Sequence, residues 1–107
     1  MTLESNKSRS FKKVNFKEKL SKFTEQWQPK VVASLNDYEI KLVKLKDDFV
    51  WHKHEETDEA FIVLKGEIHI EFENHTVRLG EGEMLVVPKG VRHKPYADHD
   101  QRKVYVS

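Results

Sequence analysis

The chain has 107 residues, with 19 basic against 18 acidic side chains and no cysteine. That length supports a single hydrophobic core, and the near-neutral balance gives no electrostatic case for nucleic acid. The absence of thiols excludes disulfides, thiolate metal sites and cysteine nucleophiles, so any metal must be held through nitrogen and oxygen. No apolar run approaches the roughly 20 residues of a membrane span, and the N-terminus lacks a hydrophobic signal stretch. A cytoplasmic protein with neither a nucleic-acid nor a membrane partner is expected.

Charge is unevenly placed along the chain. Residues 1–30 carry eight Lys or Arg and three Glu, a net +5 that leaves −4 for the remainder. Residues 1–13 are predicted as a solvated, unstructured basic arm. Phe16, Leu20, Phe23 and Trp27 then recur at offsets of four, three and four, which predicts a short amphipathic helix over 14–28 packed on the main domain. Asn15 with Glu18 is a candidate capping box, and Pro29 ends the run.

From Pro29 onward the pattern is strands and turns. Val31–Leu35 and Tyr38–Leu45 flank Asn36-Asp37, a hairpin signal. Asp47-Asp48 is read as a turn ahead of a strand Phe49–His52. Further strands are predicted at Ala60–Leu64, Glu67–Phe72, Thr76–Leu79, Met84–Val87, Val91–Tyr96 and Lys103–Val106, separated by Gly, Pro and Asn turns. So many short, evenly punctuated strands predict an all-β domain, a sandwich or a jelly-roll barrel, over 29–107.

The chemistry concentrates in Trp51-His-Lys-His-Glu-Glu-Thr-Asp-Glu59. Strand side chains alternate faces, so His52 and His54 point the same way about 7 Å apart and can converge on one ion. The loop Glu55–Asp58 returns the chain so that Glu59 approaches from the next strand. Phe61 and Val63 share its parity. Downstream, Pro88-Lys-Gly90 turns the chain into His93, a ligand only if the barrel closes. Imidazole and carboxylate together suit one divalent transition metal such as Zn, Fe, Mn, Ni or Co. Phe49, Phe61, Val63, Met84 and Val86 are candidates for the pocket lining. His69, His75 and His99 are read as solvated, and Trp51 and Tyr96 have the parity of outward residues.

These residues carry a family resemblance. His52-x-His54-x4-Glu59-x6-Gly66 and Gly82-x5-Pro88-x-Gly90-x2-His93 match the two linked motifs of cupins, with the fifteen-residue spacing of the small microbial members. The chain resembles the small single-domain, mannose-6-phosphate-isomerase-like cupins of largely unassigned function. The resemblance implies a cupin double-stranded β-helix, the jelly-roll barrel, with one metal held by His52, His54, Glu59 and His93. Two motif positions depart from the pattern: Lys46 stands where the first opens with Gly, and Ala97 where the second closes with Asn.

Four protein ligands on one side of an octahedral ion leave open positions, which favours catalysis over a closed structural site. The expectation is a metal-dependent enzyme acting on a small oxygenated metabolite, a sugar or organic acid, by Lewis-acid or oxygen chemistry. Isomerases, dioxygenases and decarboxylases of the family share this site, so its residues do not select the reaction. The alternative is a non-catalytic module that binds a metabolite or metal. The partners expected are a small-molecule ligand or substrate and a second copy, with Val31–Leu35 lying against it in a homodimer.

Overall fold

The computed structural model describes residues 11–48 and 51–106, with side chains for 11–46 and 51–97. Phe49, the first ten residues of the basic arm and the side chain of His99 lie outside that range. A short helix, α1 (Phe16–Leu20), precedes seven strands: β1 (Lys30–Leu35), β2 (Tyr38–Asp48), β3 (Glu59–Lys65), β4 (Glu67–Glu71), β5 (Thr76–Gly80), β6 (Met84–Val87) and β7 (Lys94–Val106). Among the described residues no helix is long and apolar enough to cross a membrane.

The sheet runs β1-β2-β7-β3-β6, and β4 sits between β5 and β7. Every pairing is antiparallel. The long β7 makes the barrel possible. Its first part pairs with β4 through His69↔Tyr96 and Glu71↔Lys94, while its last part lies between β2 and β3, with Val104 opposite both Leu42 and Ile62. One strand therefore belongs to both walls of an all-β jelly roll. The strands predicted separately at Val91–Tyr96 and Lys103–Val106 are the two ends of this element.

Alternation decides the two apolar layers. Val43, Leu45, Phe61, Val63, Ile68, Ile70, Leu79, Val87 and Ala97 are buried together inside the barrel. Leu42, on the opposite face of β2, forms a second cluster with Leu20 of α1, joined by Phe23, Val32, Ile40, Ile62 and Leu64. β2 is thus covered on both faces, inside by the barrel and outside by the N-terminal segment. Gly66, at φ 86°, makes the turn between β3 and β4 in a conformation that favours glycine.

Two local expectations are corrected. The helix over 14–28 is confined to Phe16–Leu20, capped by the Asn15 side chain on the Glu18 amide at 3.0 Å. It ends at a Ser21 cap, and Trp27 is held by β2 instead: its amide donates to the Lys44 carbonyl at 2.8 Å and its indole to the Lys46 carbonyl at 2.7 Å. Trp27 takes φ 62°, and packs against the barrel core while Phe23 joins the outer cluster. The apolar spacing of four and three thus serves two surfaces, not one helical stripe. Likewise Asp47-Asp48 is not a turn, because β2 continues through both, opposite Ala97 and Tyr96, after a register shift beyond Leu45. The two positions that depart from the motif pattern, Lys46 and Ala97, flank this irregularity.

Ile68 is fully buried and Met84 is 56% exposed. Ile68→Ala is expected to lower unfolding free energy by about 2–5 kcal/mol and Met84→Ala by no more than about 0.5 kcal/mol, measured by urea denaturation.

Candidate metal centre

His52 and His93 are directly opposed. Each backbone amide donates to the other's carbonyl, at 3.0 and 2.9 Å, in an isolated antiparallel bridge. Opposed residues in such a pair project to the same face, and their rings lie with centroids 4.3 Å apart. His54, two residues on, returns to that face with its ring 5.4 Å from that of His52. Glu59 opens β3, opposite Val87, and its carboxyl is buried against all three rings. Its Oε1 lies 3.0 Å from His93 Nε2 and 3.9 Å from His52 Nε2, and its Oε2 lies 3.3 Å from His54 Nε2.

His52, Glu59 and His93 form a compact group that could hold a metal, with ligand atoms all within 4.8 Å of one another. His54 stands at the edge of this group, its Nε2 3.3 Å from Glu59 Oε2. Exposure follows the same order: the side chain of His93 is 1% exposed and that of His54 41%. The open side of the centre is therefore the His54 side.

The protein wall behind the group is aromatic. Phe61 meets the His93 ring edge-on at 5.8 Å and Phe72 lies 6.4 Å from it. Val63 is buried deeper in the barrel core. Met84 and Val86 do not join the lining: they are 56% and 47% exposed. The reason is register, since Glu59↔Val87 and Phe61↔Leu85 place Val87 and Leu85 on the inner face and turn their neighbours outward. Trp51 also faces away, between the cations of Arg92 and Lys94 at 5.4 and 5.8 Å.

Three supporting contacts have no signature in residue spacing. The Asp58 carboxylate accepts from the Lys89 amide at 2.9 Å, tying the loop before Glu59 to the turn before His93. The Gly90 amide, at φ 81°, donates to the His54 carbonyl at 2.7 Å. His93 Nδ1 lies 2.9 Å from the Val91 carbonyl, an acceptor that fixes the ring's orientation. Asp58 reads as one solvated acid among Glu55, Glu56 and Asp58, and only its turn-forming chemistry hints otherwise.

The other described histidines have local roles. His69 stacks on Tyr96 at 4.8 Å, beside Glu67 at 3.2 Å. The Glu67 carboxyl is held below its ordinary range, chiefly by a hydrogen bond from Arg78. His75 stacks on Phe72 at 4.8 Å.

Comparison with known proteins gives a consistent result. The family described as "Cupin domain" matches residues 41–107. A crystal structure of a cupin-2 domain containing protein from Shewanella frigidimarina superposes with TM-score 0.87 at 46% identity, covering 88% of this chain and 92% of that one. A protein of Neisseria meningitidis superposes with TM-score 0.83 at 31% identity, covering 89% and 97%. An uncharacterized protein of Bacillus subtilis, YdbB, is 36% identical over 64 residues, 59% of this chain. That match spans 57% of the Bacillus protein's own length.

The burial difference between two of the histidines is testable. His93→Ala, which empties a buried ring site beside Phe61, is expected to cost about 2–4 kcal/mol. His54→Ala is expected to cost under about 0.5 kcal/mol. Thermal unfolding in excess chelator separates this packing effect from any effect of bound metal.

Proposed function

This chain belongs to the cupin family, and on that premise we propose that it is a metal-dependent enzyme acting on a small oxygenated metabolite. One divalent transition metal would be held by His52, His54, Glu59 and His93. The observation that carries the reading is the pair of oxygens facing His93. Its Nδ1 lies 2.9 Å from the Val91 carbonyl and its Nε2 lies 3.0 Å from Glu59 Oε1. A neutral imidazole has one N–H and can donate to only one of them. With the proton on Nδ1 given to Val91, Nε2 faces the carboxylate without an N–H of its own, and either a second proton or a shared cation satisfies that contact. The grouping of His52, Glu59 and His93, with ligand atoms all within 4.8 Å of one another, favours the cation.

Donor chemistry and spacing agree with this. Two ligand atoms about 2.1 Å from an ion and at right angles to each other stand roughly 3 Å apart; Glu59 Oε1 lies 3.0 Å from His93 and 3.9 Å from His52, and Oε2 3.3 Å from His54. Neutral nitrogen and carboxylate oxygen suit Zn, Fe, Mn, Ni or Co. When bound, such an ion supplies Lewis acidity toward a carbonyl, hydroxyl or water oxygen.

The chain's own residues do the rest. Phe61 and Phe72 keep water from the buried side. Val91, Gly90 and Asp58 hold the ligand-bearing segments in place. Substrate enters from the exposed His54 side. The cations adjacent to the ligands in sequence, Lys53, Arg92 and Lys94, are paired with Glu55 at 2.9 Å, Glu73 at 3.6 Å and Glu71 at 3.5 Å. That arrangement favours an oxygenated substrate recognised by the ion itself over one seized through a phosphate, and so a sugar or organic acid over a sugar phosphate.

A homodimer is proposed along the exposed β1 edge, where Val31, Leu35 and Tyr38 are open to solvent. Light scattering at micromolar concentration should give twice the chain mass, falling to the monomer value for Val31→Lys/Leu35→Lys. A wild-type monomer would rule the dimer out.

Protein purified without added metal is expected to carry about one equivalent of a transition metal, read by elemental analysis, and His52→Ala/His54→Ala to carry almost none. Asp58→Ala is expected to lower metal affinity about tenfold, the scale of losing a supporting contact. Equal metal in wild type and double variant would reject the site. With metal bound, uronates, aldose phosphates and small diketones form the first turnover screen, and stabilisation by a compound without turnover would favour a binding module.

A further inference from the structure

On the outer face of β2, away from the barrel interior, Lys44 is 6% exposed. Its ammonium donates to the Phe23 carbonyl at 2.5 Å and lies 4.9 Å from the centre of the Phe23 ring. Among the described residues no carboxylate pairs with it within 4 Å. The nearby Glu25 feels the charge of Lys44 but lies beyond 4 Å from its ammonium, and is engaged more closely by the Thr24 amide at 3.1 Å and by Lys30 at 3.9 Å. An ammonium carries three donors, and one carbonyl satisfies one of them. A buried charge ordinarily has an ionic partner, because desolvation without one is costly.

Lys44 lies in the wall of a cleft of about 530 Å3. The apolar surface of the cleft comes from Phe16, Leu20 and Leu64, and its remaining charges from Lys17, Lys65 and Glu81. Lys17 and Lys65 are exposed and make no ion pair among the described residues. Three cations against one carboxylate leave a positive cleft with a greasy floor. The volume falls in the range of small-molecule pockets, about 300–1,000 Å3.

We propose that this cleft binds a small anionic amphiphile, a carboxylate bearing a short hydrocarbon chain. The carboxylate is the missing partner of Lys44, flanked by Lys17 and Lys65, and the chain lies over Phe16, Leu20 and Leu64. Charge complementarity selects the head group and apolar burial the tail; neither a simple anion nor an alcohol meets both demands. The site uses no residue of the His/Glu centre, so it stands or falls independently of metal binding.

Octanoate is the probe, with octan-1-ol, acetate and inorganic phosphate as controls, followed by backbone amide shifts in the full chain. Saturable shifts at Leu20, Lys44 and Leu64 are expected with octanoate, with each control at least about tenfold weaker, the scale of one charge-assisted hydrogen bond. Lys44→Met and Lys17→Glu/Lys65→Glu should each weaken octanoate about tenfold, while His52→Ala/His54→Ala binds as wild type. The double charge reversal is at exposed positions, so it carries the test if Lys44→Met fails to fold by circular dichroism. Octanol binding as well as octanoate, or full affinity in Lys17→Glu/Lys65→Glu, would overturn the proposal. So would shifts confined to Glu59 and His93, or shifts that follow protein concentration and assign the cleft to a second copy.

Discussion

Two backbone hydrogen bonds between His52 and His93 hold the functional end of this molecule together. They join the segment after β2 to the segment before β7, which are 41 positions apart in the chain. Because the two residues form a directly opposed antiparallel pair, their rings must project to one face. The remaining features follow from that bridge. His54, two residues on, returns to the same face with its carbonyl held by the Gly90 amide, and Glu59 reaches it as the Asp58–Lys89 contact ties its loop to the turn preceding His93. Phe61 is inward for the same reason as Glu59, two residues on along β3. A barrel that failed to close at this bridge would leave a histidine pair and a distant acid, with no common centre.

The site is also stratified by exposure, which gives it a direction. His93 and Glu59 are buried, while the side chains of His52 and His54 are 22% and 41% exposed. The buried pair is oriented by backbone and packed against aromatic rings, so it is preorganised before anything binds. The outer ligand is the adjustable one. In the proposed centre a substrate meets the ion from the side with least protein, while the rigid side sets the geometry.

Much of this was legible in the sequence, and the limits were physical. Period-two alternation along β3 puts Glu59 and Phe61 on one face, whereas His52 is held by an isolated bridge to His93 and not by a regular strand. The lining expected at Met84 and Val86 does not form, since the inner face of a four-residue strand depends on its register with β3 and not on its own composition. The helix was overextended because Phe23 and Trp27 have helical spacing, yet Trp27 is drawn off by two hydrogen bonds to β2 that no local pattern announces. Asp47-Asp48 looked like a turn by composition, but its backbone is engaged by β7. Asp58 and Val91 were invisible for a related reason: their contribution is a contact across the fold, made by an ordinary loop acid and by a carbonyl.

β2 is where the two halves of the molecule meet. Its inner residues Val43 and Leu45 build the barrel core, and its outer residues Leu42 and Lys44 lie beneath the N-terminal segment. The proposed metal centre and the proposed anion cleft are thus served by opposite faces of one strand system. The most direct test of the metal centre is X-ray absorption on protein purified without added metal. Three imidazole ligands with one carboxylate oxygen, at about 2.0–2.2 Å, are predicted, with the imidazole scattering reduced in His93→Ala. A first shell of oxygen alone, unchanged in that variant, would contradict it.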